Sequence, residues 1–161
     1  MEQTASQPLP VLARRVMRTT LKGSLATLER GSGAPYVSMV NLAADLDGSP
    51  LLLLSELARH TGNLKADSRA SLLLDQTDLA GDPSTGARLT LLGRLSPSTD
   101  PAVRQRYLER WPSAAGYAGF ADFGFWRLDL DSGHVISGFG RIQTLQREDL
   151  IDRSHLWPGS S

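Results

Sequence analysis

No cysteine occurs in the 161-residue sequence. Its absence excludes disulfides, thiolate-held zinc and thiol catalysis, and it fits a reducing cytoplasm. Neither sign of charge is in excess. The 17 basic and 17 acidic residues cancel, and no basic stripe interleaves with aromatics, so nucleic acid is not an expected partner. No apolar run approaches the roughly 20 residues that span a bilayer, so no membrane partner is expected. Met1 to Pro10 is polar, with an acidic residue and two prolines, unlike a secretory signal. Internal repeats and low-complexity tracts are also missing. His60, His134 and His155 lie far apart and lack metal-ligand spacing. Ser55-x-x-x-Arg59-His60 is not a nucleophile elbow, and Gly138-x-Gly140 lacks the helix start of a dinucleotide fingerprint. These features describe one soluble, cytoplasmic domain long enough to bury a real core.

The richest stretch runs from Ser55 to Ser71, between the apolar runs Leu51–Leu54 and Leu72–Leu74. It reads as strand, short turn, short helix, strand. Ser55 and Thr61 offer hydroxyls, Arg59 a guanidinium and His60 an imidazole. Thr61 is the expected N-cap of a helix over Gly62–Asp67, which would aim free backbone N–H groups the same way. Such a cluster reads as an anion cradle, against the plainer alternative of a solvated helix start.

In chain order, residues 1–8 read as a loose arm and Leu9–Thr20 as an amphipathic helix, with Arg14, Arg15 and Arg18 off its apolar stripe. Strands are expected at Gly23–Glu29, Tyr36–Asp45, Pro50–Ser55, Arg69–Asp75 and Ala87–Ser96. Asp47-Gly48 signals a hairpin, and Asp45 and Asp47 are expected to stay exposed beside it. Gly93 marks a bulge or a close approach. Tyr36, Ser38 and Val40 alternate with Val37, Met39 and Asn41, which puts a polar residue on each face of that strand. One side therefore borders a ligand or partner. Asp100 caps a helix that opens with Pro101 and ends near Arg110. Asp122–Asp131 and His134–Phe139 are two further strands, turned by Asp131-Ser132-Gly133. Glu148–Ile151 forms a short helix, and 152–161 reads as a frayed tail. The pattern is mainly β with α (α+β), an antiparallel barrel decorated with helices.

Leu51-Leu-Leu-Leu-Ser-Glu-Leu-Ala-x-His-Thr-x-Asn-Leu, followed by Asp-x-Arg-Ala-Ser-Leu-Leu, resembles the FMN-binding split-barrel family, the pyridoxamine 5'-phosphate oxidase-like proteins. Its branch associated with haem utilisation is the most similar. The resemblance covers residues 12–145. It implies an antiparallel split β-barrel with peripheral helices, usually a homodimer with FMN between subunits, and a probable FMN-dependent oxidoreductase whose substrate is unknown. It also implies flavin contacts from Tyr36, Val37, Ser38, Met39 and Val40, and phosphate and ribityl contacts from Ser55, Arg59, His60, Thr61 and Asn63. Trp126 and Arg141, in Phe-Gly-Phe-Trp-Arg and Ser-Gly-Phe-Gly-Arg, would come from the partner chain. The alternative on the same scaffold is a haem-binding or haem-degrading protein, with His134 or His155 as axial ligand. Longer members of the branch carry a further C-terminal domain that this sequence does not include, which sets FMN ahead of haem.

Overall fold

The computed structural model describes residues 7–77 and 81–152. Helix α1 (Leu9–Thr19) leads into β1 (Lys22–Leu28), β2 (Pro35–Asn41), the two-residue β3 (Ala43–Ala44) and β4 (Pro50–Ser55). Then come α2 (Arg59–Ala66), β5 (Arg69–Asp75), β6 (Ala87–Ser98), α3 (Pro101–Arg110), β7 (Phe123–Ser137), β8 (Ile142–Gln146) and α4 (Arg147–Leu150). Among the described residues, no helix is long and apolar enough to cross a membrane.

The strands form one antiparallel sheet in the order β2-β1-β5-β6-β7-β4-β3, with β8 added to β7 beyond β4. β2 and β3 stand at opposite ends of that order but are neighbours in sequence. The chain bends at Leu42, so residues 35–44 join both ends and curl the sheet into a split barrel. Two hydrogen bonds hold the bend: the Leu42 N–H donates to the Leu21 carbonyl at 2.8 Å, and Trp111 Nε1 donates to the Leu42 carbonyl at 2.9 Å.

The concave side carries the core. Leu25, Leu72, Leu74, Leu89, Leu91, Leu95, Leu128 and Leu130 are essentially inaccessible, and Leu12, Val16 and Met17 of α1 close over them. Each such leucine contributes about 2 kcal/mol of transfer free energy. A smaller cluster seats α3, where Val103 and Tyr107 pack on Leu51 and Phe125.

Two expectations from the sequence fail in the late strands and the first hairpin. Asp131-Ser132-Gly133 does not turn the chain. β7 runs unbroken through it, and the pairing with β6 slips there: Leu92 faces Ser132 while Gly93 faces Leu130. Asp131 is the extra residue of a β-bulge, which absorbs the turn-like composition without reversing direction. Gly93 sits at the slip because a β-carbon on it would lie 2.1 Å from the Asp129 carbonyl oxygen. The actual reversal uses Gly138 (φ 79°) and Gly140 (φ 73°), in the left-handed region that glycine alone enters freely. Asp45 and Asp47, expected in solvent, are instead largely covered, with side chains 16% and 12% exposed. Both grip Arg127 of β7, and Arg106 Nε of α3 lies 3.1 Å from Asp45 Oδ1.

Candidate functional site

The turn from β4 into α2 holds five of the expected contact residues, and most of its side-chain polar groups bond within the chain. The helix starts earlier than the sequence suggests. Ala58 occupies the N-cap with no side-chain acceptor, Thr61 lies in the first turn, and Asp67 is the C-cap. The Thr61 hydroxyl donates to the Ser55 carbonyl at 2.6 Å, while Ser55 Oγ accepts from the Leu57 N–H at 3.1 Å. Asn63, 3% exposed, accepts from the Arg30 N–H and donates to Thr27 Oγ1, both at 3.1 Å. Arg59 pairs with Glu29 at 2.7 Å and lies over the Tyr36 ring, 5.0 Å from its centroid. His60 Nδ1 lies 3.2 Å from Ser38 Oγ, and its Nε2 is buried without a partner. Burial pushes this imidazole below the ordinary histidine range, so it stays neutral and adds no positive charge to the turn. Glu29, Glu56 and Lys65 share the same opening, and Lys65 is tied to Glu56. The hydroxyls, amide and guanidinium of this junction bond within the chain, while His60 Nε2 has no partner among the described residues.

Of the remaining expected contacts, Tyr36 and Ser38 adjoin the turn through Arg59 and His60, and the others lie apart. Val40 is buried in the core, as is Trp126 at 3% exposure. Arg141, beside the Gly138–Gly140 reversal, donates to the Gln7 carbonyl. Tyr36 and Ser38 are half-buried on the α2 side of β2, whereas Val37 and Met39 project from the opposite face.

That opposite face is the convex side of the sheet, and its side chains fall into rows set by the register. One row crosses six strands as Met39, Ser24, Leu73, Thr90, His134 and Thr144. The next runs Val37, Ala26, Ser71, Leu92, Ser132 and Gln146. Val37, Met39, Leu73, Leu92 and, one row further on, Ile142 are 40–68% exposed. Small residues separate them, so the face is shallow, and a cavity of about 360 Å³ opens beside Ala26, Leu28, Pro35, Ser71 and Leu92. Charged residues bound the rows: Arg69 and Arg94 on one side, Asp75 and Arg88 on the other. A face of exposed apolar side chains set among small polar ones, with charges at its margins, can serve as a binding face.

His134 lies near the C-terminal end of β7 on this face, half-buried, with Nδ1 3.2 Å from Thr144 Oγ1. His155 falls outside the described residues. The alternation in β2 already pointed to Val37 and Met39. The signal for the rest is the unbroken runs Leu72-Leu73-Leu74 and Leu91-Leu92: a strand with solvent on one side alternates, and a continuous apolar run marks one covered on both.

Residues 5–151 match the family described as CREG, beta-barrel. The chain is 38% identical over 144 residues to the non-canonical heme oxygenase HOZ, chloroplastic, of Arabidopsis thaliana, covering 85% of this chain and 43% of that one. It therefore spans less than half the length of that relative. Heme oxygenase HutZ of Vibrio cholerae is 27% identical over 157 residues, covering 90% of this chain and 84% of its own. The solved heme binding protein of Mycobacterium smegmatis superposes with a TM-score of 0.83 at 31% identity, covering 89% of this chain and 60% of that chain. A putative pyridoxamine 5'-phosphate oxidase from Listeria innocua shares the fold alone, at a TM-score of 0.63 and 12% identity, over 81% of this chain and all of its own. These relatives correct the expectation of FMN. The scaffold is the one the resemblance implied, but the relatives by sequence are named for heme.

Proposed function

This chain belongs to the CREG β-barrel family, and from that premise we propose that it binds haem on the convex face of its sheet, as a homodimer. The observation that carries the reading is the apolar face itself, with an imidazole set among its rows. Haem needs a broad apolar contact for the porphyrin and a nitrogen donor for the iron. At about 4.8 Å between strands, six strands span roughly 24 Å, more than one porphyrin covers. A second copy of the chain covers the remainder, with Val37, Met39 and Leu73 in the contact. The activity proposed for the bound haem is its oxidative breakdown, for which HOZ and HutZ are named.

Titration of the purified protein with haemin tests the binding. A saturable Soret band distinct from that of free haemin supports the reading, and a spectrum that remains that of free haemin overturns it. With haem bound, added reductant and oxygen should bleach the Soret band faster than in haem–albumin under the same conditions. Equal rates would remove the breakdown activity and leave binding alone.

A further inference from the structure

We propose that the pocket between the start of α3 and the first residues of β7 binds a small aromatic carboxylate, with Arg104 as the group that holds the anion. The pocket has a volume of about 310 Å³, and Ser98, Thr99, Arg104, Phe123 and Phe125 are among the residues that line it. That volume stands at the lower end of the roughly 300–1,000 Å³ of small-molecule sites, which suits a single ring. It lies apart from the face assigned to haem. Ser98 is the last residue of β6, whereas the convex rows cross that strand at Thr90 and Leu92.

The sequence builds both halves of the pocket. Phe123 and Phe125 alternate with Gly124 on a strand and so face the same way. A second ring fixes each: Tyr107 meets Phe125 edge-on with centroids 5.6 Å apart, and Tyr117 lies 5.0 Å from Phe123. Ordered phenyl walls of this kind favour another ring, stacked or edge-on. Pro101 opens α3, and Arg104, three residues further on, shares its side of the helix. The Arg104 guanidinium lies over Phe125, 5.8 Å from the ring centroid. Among the described residues it has neither an ion pair nor a hydrogen bond. Asp100, the acid in the lining, is committed to the helix cap, where it accepts from the Ala102 N–H at 2.9 Å. The Val103 and Arg104 N–H groups close on the Asp100 carbonyl, so the helix start offers no amide and the anion falls to Arg104. A guanidinium held flat on a ring presents its planar fork, which matches a carboxylate with two parallel hydrogen bonds. An aromatic acid satisfies both halves at once.

Benzoate, benzylamine and acetate separate the two requirements in an NMR titration of the full chain. Benzoate should move the amide resonances of Thr99, Arg104 and Phe125 along a saturable curve. Benzylamine has the ring with the opposite charge, and acetate has the charge without the ring; neither should saturate over the same range. Arg104→Met keeps the apolar stem at an exposed helix position and should weaken benzoate on the order of tenfold with an unchanged Tm. Arg104→Lys should recover only part of the loss, because an ammonium lacks the fork. No saturable shift with benzoate, equal binding of benzylamine, or full benzoate affinity in Arg104→Met would each overturn the assignment, and none of them bears on haem.

Discussion

The Thr61 hydroxyl and the Ser55 carbonyl are bonded to each other at 2.6 Å, and this one contact closes the turn that the sequence presents as an anion cradle. It ties the first turn of α2 to the end of β4, so its role is architectural. Thr61→Val keeps the shape and removes the donor. The expected cost is about 1 kcal/mol, with the Ser55 carbonyl keeping only the Ala58 N–H at 3.1 Å, measured by urea unfolding. Haemin binding should not change.

Arg127 is the hub of a charged cluster that fastens β7 to the β3–β4 turn and to α3. Burial acts to raise the Asp47 carboxyl, but hydrogen bonds from Ser49 and the guanidinium of Arg127 outweigh it and hold Asp47 below the usual carboxylate value. Arg127→Met removes the guanidinium from Asp47 and leaves Asp45 with Arg106 alone, and about 2 kcal/mol of stability should be lost at neutral pH. A carboxyl depressed in the fold contributes stability above its unfolded value and loses it as pH falls through the folded one. The gap between variant and wild type should therefore narrow as pH is lowered below 3.8, as measured by denaturant midpoints across pH.

His60 titrates in the opposite chemical sense with the same direction of effect. Burial lowers its folded value below 6.5, so the unfolded chain takes up a proton first as pH falls. Its contribution is complete above the unfolded value and is lost progressively below it. Wild-type stability should fall as pH drops through 6.5, and His60→Gln should reduce that fall. An identical pH dependence in the two proteins would show that the imbalance lies elsewhere.

The convex face predicts a change of assembly. Met39→Arg with Leu73→Arg places two charges where Val37, Met39 and Leu73 are proposed to meet a second copy. Sedimentation velocity should show a dimer for the wild type and a monomer for the variant, with little change in Tm. Both side chains already face outward.

Much of the fold was legible from local chemistry. Pro50–Ser55 and Arg69–Asp75 are strands at the bounds their turns imply, and Asp100-Pro101 opens α3, with the Asp100 carboxylate accepting from the Ala102 N–H at 2.9 Å. Gly93 stands at a close backbone approach, as a glycine interrupting a strand suggests. What local chemistry misjudged was where turn-forming residues are used. Asp131-Ser132-Gly133 has the composition of a reversal, yet long-range pairing with β6 on one side and β8 on the other outweighs it. Pro97, expected to end β6, is carried inside the strand opposite Trp126. The bonding inside the turn was hidden for a related reason. Hydroxyls, amides and guanidinium near a helix start look the same in sequence whether they await a ligand or bond the chain itself. Asn63 reaches Thr27 and Arg59 reaches Glu29, partners about 30 residues away that no local reading supplies. The convex face is assembled from four separate segments, so only its traces in β2 and in the leucine runs could be seen in advance.

The central claim is that this scaffold binds its ligand on the convex face and not at the α2 turn. Haemin titration of Leu92→Glu beside Thr61→Val tests it most directly, with circular dichroism confirming that both variants are folded. Leu92→Glu should lose the Soret shift while Thr61→Val keeps the wild-type curve. Binding retained in Leu92→Glu and lost in Thr61→Val would contradict it and return the site to the turn.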